Sequence, residues 1–529
     1  MDTVTLPREE YEEMKAQLQW LKEQVRLAKH RQFGASSEKS EYGQLNLFNE
    51  AEQAADEQAE EPTLCEVEKH YRQKAKRGAD RLPSELPVEV VEHVLPTDEQ
   101  ICSECGGELH VLGKEVVREE LKLIPAKAVK VQHVRFAYGC RRCEKDGDSA
   151  PVVKAPVHPP VIKGSFASPQ AIAHIAVQKY VMCIPLYRQQ QEWKRAGILL
   201  SRQTMSNWLL RATQDWLFPV YNALWQLLLK REVLHADESV LQVLHEDGKT
   251  AQSQSRMWLY RTGGDANTPL GGLSRRDTAI LLIPIVLFEY QPDRSAKRAK
   301  DFLTGFTGYL HTDGYEGYHG LPEDIVVVGC WAHARRKFDE ALKSVTKEQQ
   351  AGSGALHGKQ VCDQLFAIER GLFDLPPAER LKKRRALAVP ILDEFHLWLQ
   401  RQDVGKNAFG KAVNYTLGQW KYLERYLLDG RLEISNNRAE NSIRPFAVGR
   451  KNWLFCNTPK GARASAVLYS LVETAKENGL DPYGYLAYIF SVAPSLDLSD
   501  TAAVATLLPN SAPDFCRINV HQTSLPDCD

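Results

Sequence analysis

The sequence has no hydrophobic run long enough to cross a membrane. Its longest apolar stretch extends from Ala279 to Phe288 and is interrupted by Pro284, whereas a membrane-spanning helix needs about 20 apolar residues. The first residues are acidic and contain no hydrophobic segment typical of secretory signals, so we expect a cytoplasmic protein with no membrane partner. An excess of one charge is also lacking, because 67 lysines and arginines stand against 68 aspartates and glutamates. This balance still allows a nucleic-acid partner where bases cluster locally.

Disulfide-stabilised miniproteins are excluded, because eleven cysteines are spread over 529 residues and their number is odd. Collagen and wholly disordered chains are excluded by a hydrophobic fraction of 43% and a charged fraction of 26%, both ordinary for globular proteins. At about 100–200 residues per domain, the length indicates several domains.

Two CxxC pairs predict a structural zinc site. Cys102 and Cys105 form the first pair, Cys140 and Cys143 form the second, and strand-like alternation surrounds both. Four thiolates suit tetrahedral Zn²⁺ and leave no open position for catalysis. A redox dithiol or unrelated buried cysteines are the alternatives.

Shifts in composition and periodicity divide the chain into eight segments. Apolar residues at spacings of three and four predict a helix over 8–30, which either self-associates as a coiled coil or packs on its own chain. The segments are a coiled-coil or dimerisation helix (1–48), a charged linker (49–87), a zinc-ribbon-like domain (88–157), a helical DNA-binding domain (165–230), the first part of an α/β core (231–339), a helical insertion (340–430), the completion of the core with a third acid (431–465), and a C-terminal helical region and tail (466–529).

Residues 168–217 predict three helices resembling a helix-turn-helix unit. Pro169 and Pro185 begin the first two helices, Gly197 lies in the following turn, and Ser201 is expected to cap the third. The third helix carries four side chains of types that read DNA bases and phosphates: Arg202, Gln203, Asn207 and Arg211. A three-helix packing unit without DNA contacts is the alternative.

Three acids stand out by position. Asp237 lies within the first of five predicted strands, Asp313 ends the fourth, and Glu440 lies on a helix that Ser435 or Asn436 could cap. The predicted strands are Val233–Val243, Arg256–Arg261, Thr278–Tyr290, Gly308–Thr312 and Asp324–Cys330. With a helix after the third and fifth strands, this order is that of a ribonuclease H-like fold, in which the first and fourth strands are neighbours. We therefore predict an α/β ribonuclease H-like catalytic core with a helical insertion.

Carboxylates gathered in one place repel one another unless a divalent cation neutralises them. Two Mg²⁺ ions, or Mn²⁺ ions, would suit these acids and would support phosphodiester chemistry. Turn formation or ion pairing is the alternative for each acid, and Glu238, Glu316 and Glu433 are nearby competitors.

Bases surround Glu440, which is the only acid between Arg438 and Arg463. This pattern favours a metal ligand beside a phosphate backbone, and the predicted DNA contacts are Arg444, Arg450 and Lys451. The basic run at 380–385 is either a solvated helix face or a further DNA contact.

Several long motifs carry a family resemblance. They are HADESVLQVL at 235–244, HTDGYEGY at 311–318, GCWAHARRKF at 329–338, SNNRAENSIRPFAVGRKNWLFCNT at 435–458 and YSLVETAKENGLDPYGYL at 469–486. Together with the N-terminal helix and the Cys102–Cys143 region, they resemble the transposases of insertion-sequence family 66. The stretch after Leu508 departs from the shorter, aromatic-rich ending expected for that family, and a replaced tail is a hypothesis.

The resemblance implies a DDE-type transposase whose metal-binding acids are Asp237, Asp313 and Glu440. It implies Mg²⁺-dependent cleavage at the element's ends, then attack of the freed 3′-hydroxyl on target DNA. The expected partners are double-stranded DNA of the transposon ends and target, further copies of the chain, and accessory proteins of the same element, at the bacterial nucleoid. His311, His333 and Arg335 are secondary candidates for positioning phosphate or water. A nuclease without strand transfer and an inactive remnant that binds inverted repeats are the alternatives.

Overall fold

The structure, a computed structural model, describes residues 14–15, 17–18, 21–23, 25–26, 130–138, 153–154, 156–264 and 283–518. The chain forms two compact units, Met1–Ser36 with Arg135–Ile518 and Ser37–Val134 with Asn519–Asp529. The larger unit holds every helix and strand named below. The cysteines predicted to bind zinc lie outside the described residues: Cys102, Cys105, Cys140 and Cys143.

Three helices follow a short antiparallel pair of strands, as the sequence predicts. The strands are β1 (Ala137–Tyr138) and β2 (Val153–Lys154), and the helices are α1 (Pro169–Tyr180), α2 (Leu186–Arg195) and α3 (Arg202–Ala212). The Ser168 and Ser201 side chains cap α1 and α3 by accepting backbone N–H groups. Gly197 adopts a φ of +78° in the turn before α3, which a residue without a Cβ does at low cost. The helix α4 (Phe218–Leu228) then leads to the sheet.

Five strands form one mixed sheet. They are β3 (Val233–Gln242), β4 (Gln254–Thr262), β5 (Val286–Gln291), β6 (Gly308–His311) and β7 (Ile325–Val328), with α5 (Ala296–Phe302) before β6. Their order is β5-β4-β3-β6-β7. The strands β3, β4 and β5 pair antiparallel, whereas β6 pairs parallel with both β3 and β7. The prediction that the first and fourth strands are neighbours is confirmed by the pairing of His235 with His311.

The third strand begins later than the sequence predicts. The predicted start at Thr278 lies outside the described residues, and residues 283–285 are not in a strand. Pro284 has no N–H group to donate to a ladder, which is why regular pairing starts only at Val286.

The outer edge of β5 is covered by a helix. This part of the chain contains α11 (Asn437–Trp453), α12 (Pro459–Glu477), α13 (Pro482–Val492) and α14 (Thr501–Ala505); the labels α6–α10 belong to the insertion described next. From α12, the Thr474 and Ser470 hydroxyls accept the Val286 and Phe288 backbone N–H groups at 3.0 and 2.7 Å. Edge amides that would otherwise be open to another strand are thereby satisfied.

A helical segment with its own hydrophobic core separates β7 from α11. It consists of α6 (Trp331–Ser344), α7 (Lys347–Gln350), α8 (Gly354–Gly371), α9 (Pro377–Gln400) and α10 (Ala408–Leu423). Trp331, Phe338, Phe395 and Trp420 lie in this core, which is distinct from the core beneath the sheet. The helical character predicted for 340–430 is confirmed.

The basic run at 380–385 is divided: Lys382, Lys383 and Arg385 are exposed, as a solvated helix face requires, whereas Arg384 is structural. Arg384 is fully buried, pairs with Glu369, and donates to the carbonyl oxygens of Tyr426, Asp429 and Leu432. These bonds hold the loop that leads from the insertion back to α11.

The described C-terminal residues pack against α13. Cys516 is buried, and its carbonyl oxygen accepts the Asp481 backbone N–H group at 2.8 Å. The first residues beyond Leu508 are therefore part of the folded unit. None of the described helices is both long and apolar enough to span a membrane.

Candidate active site

The first two predicted acids lie on neighbouring segments of the chain: Asp237 is within β3, and Asp313 lies just beyond the end of the parallel strand β6, one residue later than the predicted strand end. His235 of β3 pairs with His311 of β6, and Asp237 and Asp313 each follow two residues later. The Asp313 carboxylate accepts the Tyr315 backbone N–H group at 3.0 Å, and its side chain is 24% exposed. Both residues therefore lie beside the carboxyl end of β6, with Asp237 in the middle of the longer strand β3.

Electrostatics show that four carboxylates share this region. Burial raises the pKa of Asp237 well above its usual value, and the charges of Glu238, Asp313 and Glu440 raise it further. The hydrogen bond from the Glu238 backbone N–H to Asp237 opposes the shift only in part. Like charges gathered in this way favour a cation between them.

Glu440 is brought to this group by Asn436. The Asn436 amide donates to the Ala236 carbonyl oxygen at 2.8 Å, and its Oδ1 lies 3.0 Å from Nδ1 of His235. Glu440, in the first turn of α11, follows one turn later. Asn436 occupies the N-cap position, which is one of the two residues expected there, but its side chain makes no cap bond and bonds β3 instead.

Two stacked histidines lie beneath the acids. The rings of His235 and His311 are parallel with centroids 4.4 Å apart, and both residues are fully buried. Burial lowers the pKa of both imidazoles well below the usual value. His311 Nε2 accepts the Glu433 backbone N–H group at 3.3 Å. His311 is thus part of the protein interior, and its predicted role in positioning phosphate or water is wrong.

One face of α6 turns toward Glu440. His333 Nδ1 lies 3.6 Å from one carboxylate oxygen, and Arg336 Nη2 lies 3.4 Å from the other. Arg335, the arginine selected from sequence, instead binds Asp363 on α8. Residues three apart share a helix face, so His333 and Arg336 point the same way and Arg335 does not.

Arg294 is a site residue that the sequence did not reveal. Its guanidinium pairs with Glu238, lies 4.0 Å from an Asp313 carboxylate oxygen, and stacks on the Tyr315 ring at 3.7 Å. Glu238 also accepts the Tyr318 hydroxyl at 2.9 Å, so this competitor acid is held within an ion pair. A single arginine after β5 carries no local signal for such a contact.

The other two competitor acids differ in their surroundings. Glu433 pairs with Arg438, whereas Glu316 is exposed at the rim of a cleft of about 390 Å³. Four further residues of the cleft wall are Arg294, Asp313, His333 and Lys337. An anionic ligand there would meet the cationic side chains of Arg294 and Lys337 and the His333 imidazole beside the carboxylates.

The four side chains predicted on α3 share an exposed surface. They are Arg202, Gln203, Asn207 and Arg211. Met205, Trp208 and Leu209 form the opposite, buried face. Gln203 donates to Asn207 at 3.3 Å, which orders part of the exposed face. This distribution suits a helix whose outer face contacts another molecule.

The three bases predicted on α11 differ in their surroundings. Arg444 and Lys451 are exposed, whereas Arg450 is half-buried and donates to the Val240 carbonyl oxygen of β3. The Arg450 hydrogen bond therefore joins α11 to the sheet.

Comparison with known proteins identifies the family. The model described as Transposase IS66 family matches residues 164–464, which is more than half of the chain and includes all three acids. The chain belongs to the IS66 transposase family. This IS66 chain also matches the zinc-finger binding domain of transposase IS66 over 99–144, the "Transposase C of IS166 homeodomain" over 20–91, and the IS66 C-terminal element over 470–509. The zinc-finger match includes all four paired cysteines and supports Zn²⁺ binding.

Relatives of this IS66 chain occur in Sinorhizobium fredii. The uncharacterized protein y4jD is 30% identical over 451 residues, which are 83% of either chain. The uncharacterized protein y4hP is 30% identical over 407 residues, covering 74% of this chain and 70% of the relative. The likeness therefore extends over most of each protein.

Proposed function

We propose that this IS66-family chain is a DNA transposase that cleaves the ends of its element and joins them to target DNA. The observation that carries the proposal is the meeting of Asp237, Asp313 and Glu440 beside the carboxyl end of β6. The strand order β5-β4-β3-β6-β7, with β6 parallel to β3, supports a ribonuclease H-like core. In this interpretation Asp237, Asp313 and Glu440 form a DDE group.

The residues present fit a divalent cation. Burial and like charges raise the pKa of Asp237, and Oε1 of Glu440 is buried with no hydrogen-bond partner among the described residues. Asp237 and Asp313 would hold Mg²⁺ or Mn²⁺ from the strands, and Glu440 would hold it from α11. When bound, two such ions lower the pKa of the attacking hydroxyl group and stabilise the leaving oxygen of a phosphodiester.

Other residues would bind and orient the DNA. Lys337 and Arg294 in the cleft wall supply positive charge for a phosphate. The exposed face of α3, with Arg202, Gln203 and Asn207, would read the terminal inverted repeats. The four paired cysteines would hold a structural Zn²⁺. Self-association and accessory proteins of the same element belong to this proposal.

Strand cleavage and joining test the proposal directly. Labelled DNA carrying the element's ends and a target duplex would be incubated with the full chain and Mg²⁺. We expect Asp237→Asn, Asp313→Asn and Glu440→Gln each to lower cleavage about 100-fold or more while DNA binding persists, since each removes a metal ligand. Glu394→Gln, an exposed acid on α9, is the matched control and should cleave normally.

The products separate the alternatives. Nicked ends without joined DNA would identify a nuclease that lacks strand transfer. A protected inverted repeat without cleavage at any Mg²⁺ or Mn²⁺ concentration would contradict an enzymatic function. Full cleavage by any one of the three variants would remove that acid from the proposed group.

A further inference from the structure

A second cluster of donor atoms lies where α6 and α11 begin. Cys330 immediately precedes α6, His333 lies in its first turn, and Glu440 lies in the first turn of α11. One donor atom from each residue, Sγ, Nδ1 and a carboxylate oxygen, lies within 4.8 Å of the other two. No role in the proposed cleavage requires a sulfur atom at this position.

Two of these donor atoms lack a hydrogen bond. Nδ1 of His333 and Oε1 of Glu440 are both buried, lie 3.6 Å apart, and have no hydrogen-bond partner among the described residues. Buried polar atoms are normally satisfied, and the exceptions require an explanation. A cation between the imidazole nitrogen and the carboxylate oxygen would satisfy both.

The donor set selects the kind of cation. Sulfur and imidazole nitrogen are ligands of Zn²⁺ and other thiophilic ions, whereas Mg²⁺ takes oxygen ligands. We propose that Cys330, His333 and Glu440 form a binding site for a thiophilic divalent cation such as Zn²⁺. The site is separate from the four paired cysteines in sequence, and it uses no residue of the zinc-finger match.

The local structure is compatible with coordination. Residues three apart share a helix face, so Cys330 and His333 approach from one side and Glu440 from the other. The 3.6 Å between His333 Nδ1 and Glu440 Oε1 is close to the edge of a tetrahedral zinc site, and the sulfur would have to move by about 1 Å. On binding, the Cys330 thiol releases its proton to solvent. The thiolate keeps the backbone N–H bond that Asn436 already donates at 3.1 Å.

Occupation of this site would affect the proposed transposase activity, and this part of the inference rests on the proposed function. Glu440 cannot serve both cations with the same orientation. Zn²⁺ held by Cys330 and His333 would turn the carboxylate away from Asp237 and Asp313. Zn²⁺ would therefore inhibit Mg²⁺-dependent cleavage, and loss of the sulfur would relieve that inhibition.

Metal content tests the site without any measurement of activity. The full chain would be equilibrated with Zn²⁺, freed of unbound metal and analysed for Zn²⁺ per chain. We expect the unmodified chain to retain one equivalent more than Cys330→Ser and His333→Gln. Cys362→Ser removes another fully buried cysteine, on α8, and should retain the full amount. Co²⁺ in place of Zn²⁺ should give thiolate-to-metal charge-transfer absorption. This absorption should be weaker in Cys330→Ser, which has one sulfur ligand fewer.

Equal Zn²⁺ contents in the unmodified chain and in His333→Gln, whose side chain is partly exposed, would overturn the proposal. An activity assay at fixed Mg²⁺ is a separate measurement. There, Zn²⁺ should inhibit the unmodified chain at a concentration about tenfold lower than that required for Cys330→Ser. A chain with no cleavage activity would contradict the proposed function but would leave the metal-content test intact.

Discussion

Asn436 shows how one side chain can position a site without belonging to it. Its amide joins the Ala236 carbonyl oxygen and the His235 ring, and its own backbone N–H contacts Cys330. These three partners come from β3 and from the start of α6, so the first turn of α11 is held on two sides. The distance between Glu440 and Asp237 depends on this residue.

Asn436→Ala would leave the His235 nitrogen and the Ala236 carbonyl oxygen without partners in the interior. We expect a loss of stability of about 1–3 kcal/mol, as for other unsatisfied buried polar groups. Cleavage should also require more Mg²⁺, because Glu440 is no longer held in place. Denaturant unfolding and the Mg²⁺ dependence of cleavage measure the two effects. Asn452→Ala, an exposed residue on the same helix, should change neither; an unchanged Mg²⁺ requirement in Asn436→Ala would refute the positioning role.

At the scale of elements, Arg384 joins the insertion to the loop that precedes α11. This buried guanidinium on α9 pairs with Glu369 on α8 and donates to three carbonyl oxygens of the loop that precedes α11. The loop's path therefore depends on two helices of the insertion.

Arg384→Met would leave the Glu369 carboxylate and the loop carbonyl oxygens unpaired. We expect the insertion to lose about 3–5 kcal/mol, the usual effect of removing one partner of a buried ion pair. Tryptophan fluorescence during denaturation measures this, since Trp398 and Trp420 lie in or against the insertion core. Lys383→Met, whose side chain is 51% exposed, should change stability by less than about 1 kcal/mol. Equal losses in both variants would contradict the structural role of Arg384.

Local signals in the sequence predict most elements but few of the contacts between them. Ser168, Gly197 and Ser201 act within a few residues, so helix ends in 168–217 could be predicted. Pro284 could have corrected the start of β5 by the same local rule. The roles of Asn436, Arg294 and Arg384 depend on partners far away in sequence, and no local pattern contains that information. The proximity of Asp237 and Asp313 could be predicted because neighbouring parallel strands bring equivalent positions together.

At the scale of the whole molecule, the N-terminal helix presents an apolar face. Met14, Leu18, Leu21 and Val25 are each about half exposed, although they occupy the positions that pack in a coiled coil. On another side, Glu23 is buried and accepts the Ala408 backbone N–H group at the start of α10. The Glu23 contact shows that the helix packs on its own chain, and self-association through the exposed face stays a prediction.

Leu18→Glu combined with Leu21→Glu should weaken self-association, because charges would replace apolar contacts between copies. Sedimentation or light scattering should show a smaller species at the same protein concentration. Lys22→Glu, on an exposed position of the same helix, is the control and should leave the molecular mass unchanged. A mass unaffected by the double leucine change would place any association elsewhere.

The separation of Glu440 from Asp313 along the chain also sets an order of events during synthesis. The difference, 440 − 313 = 127 residues, spans the whole insertion. At about 5–20 residues per second, a ribosome needs roughly 6–25 s to add them. For that interval the nascent chain carries two of the three acids but not the helix that brings the third. Under the proposed function, a newly made chain would thus be unable to cut nearby DNA until α11 has been made.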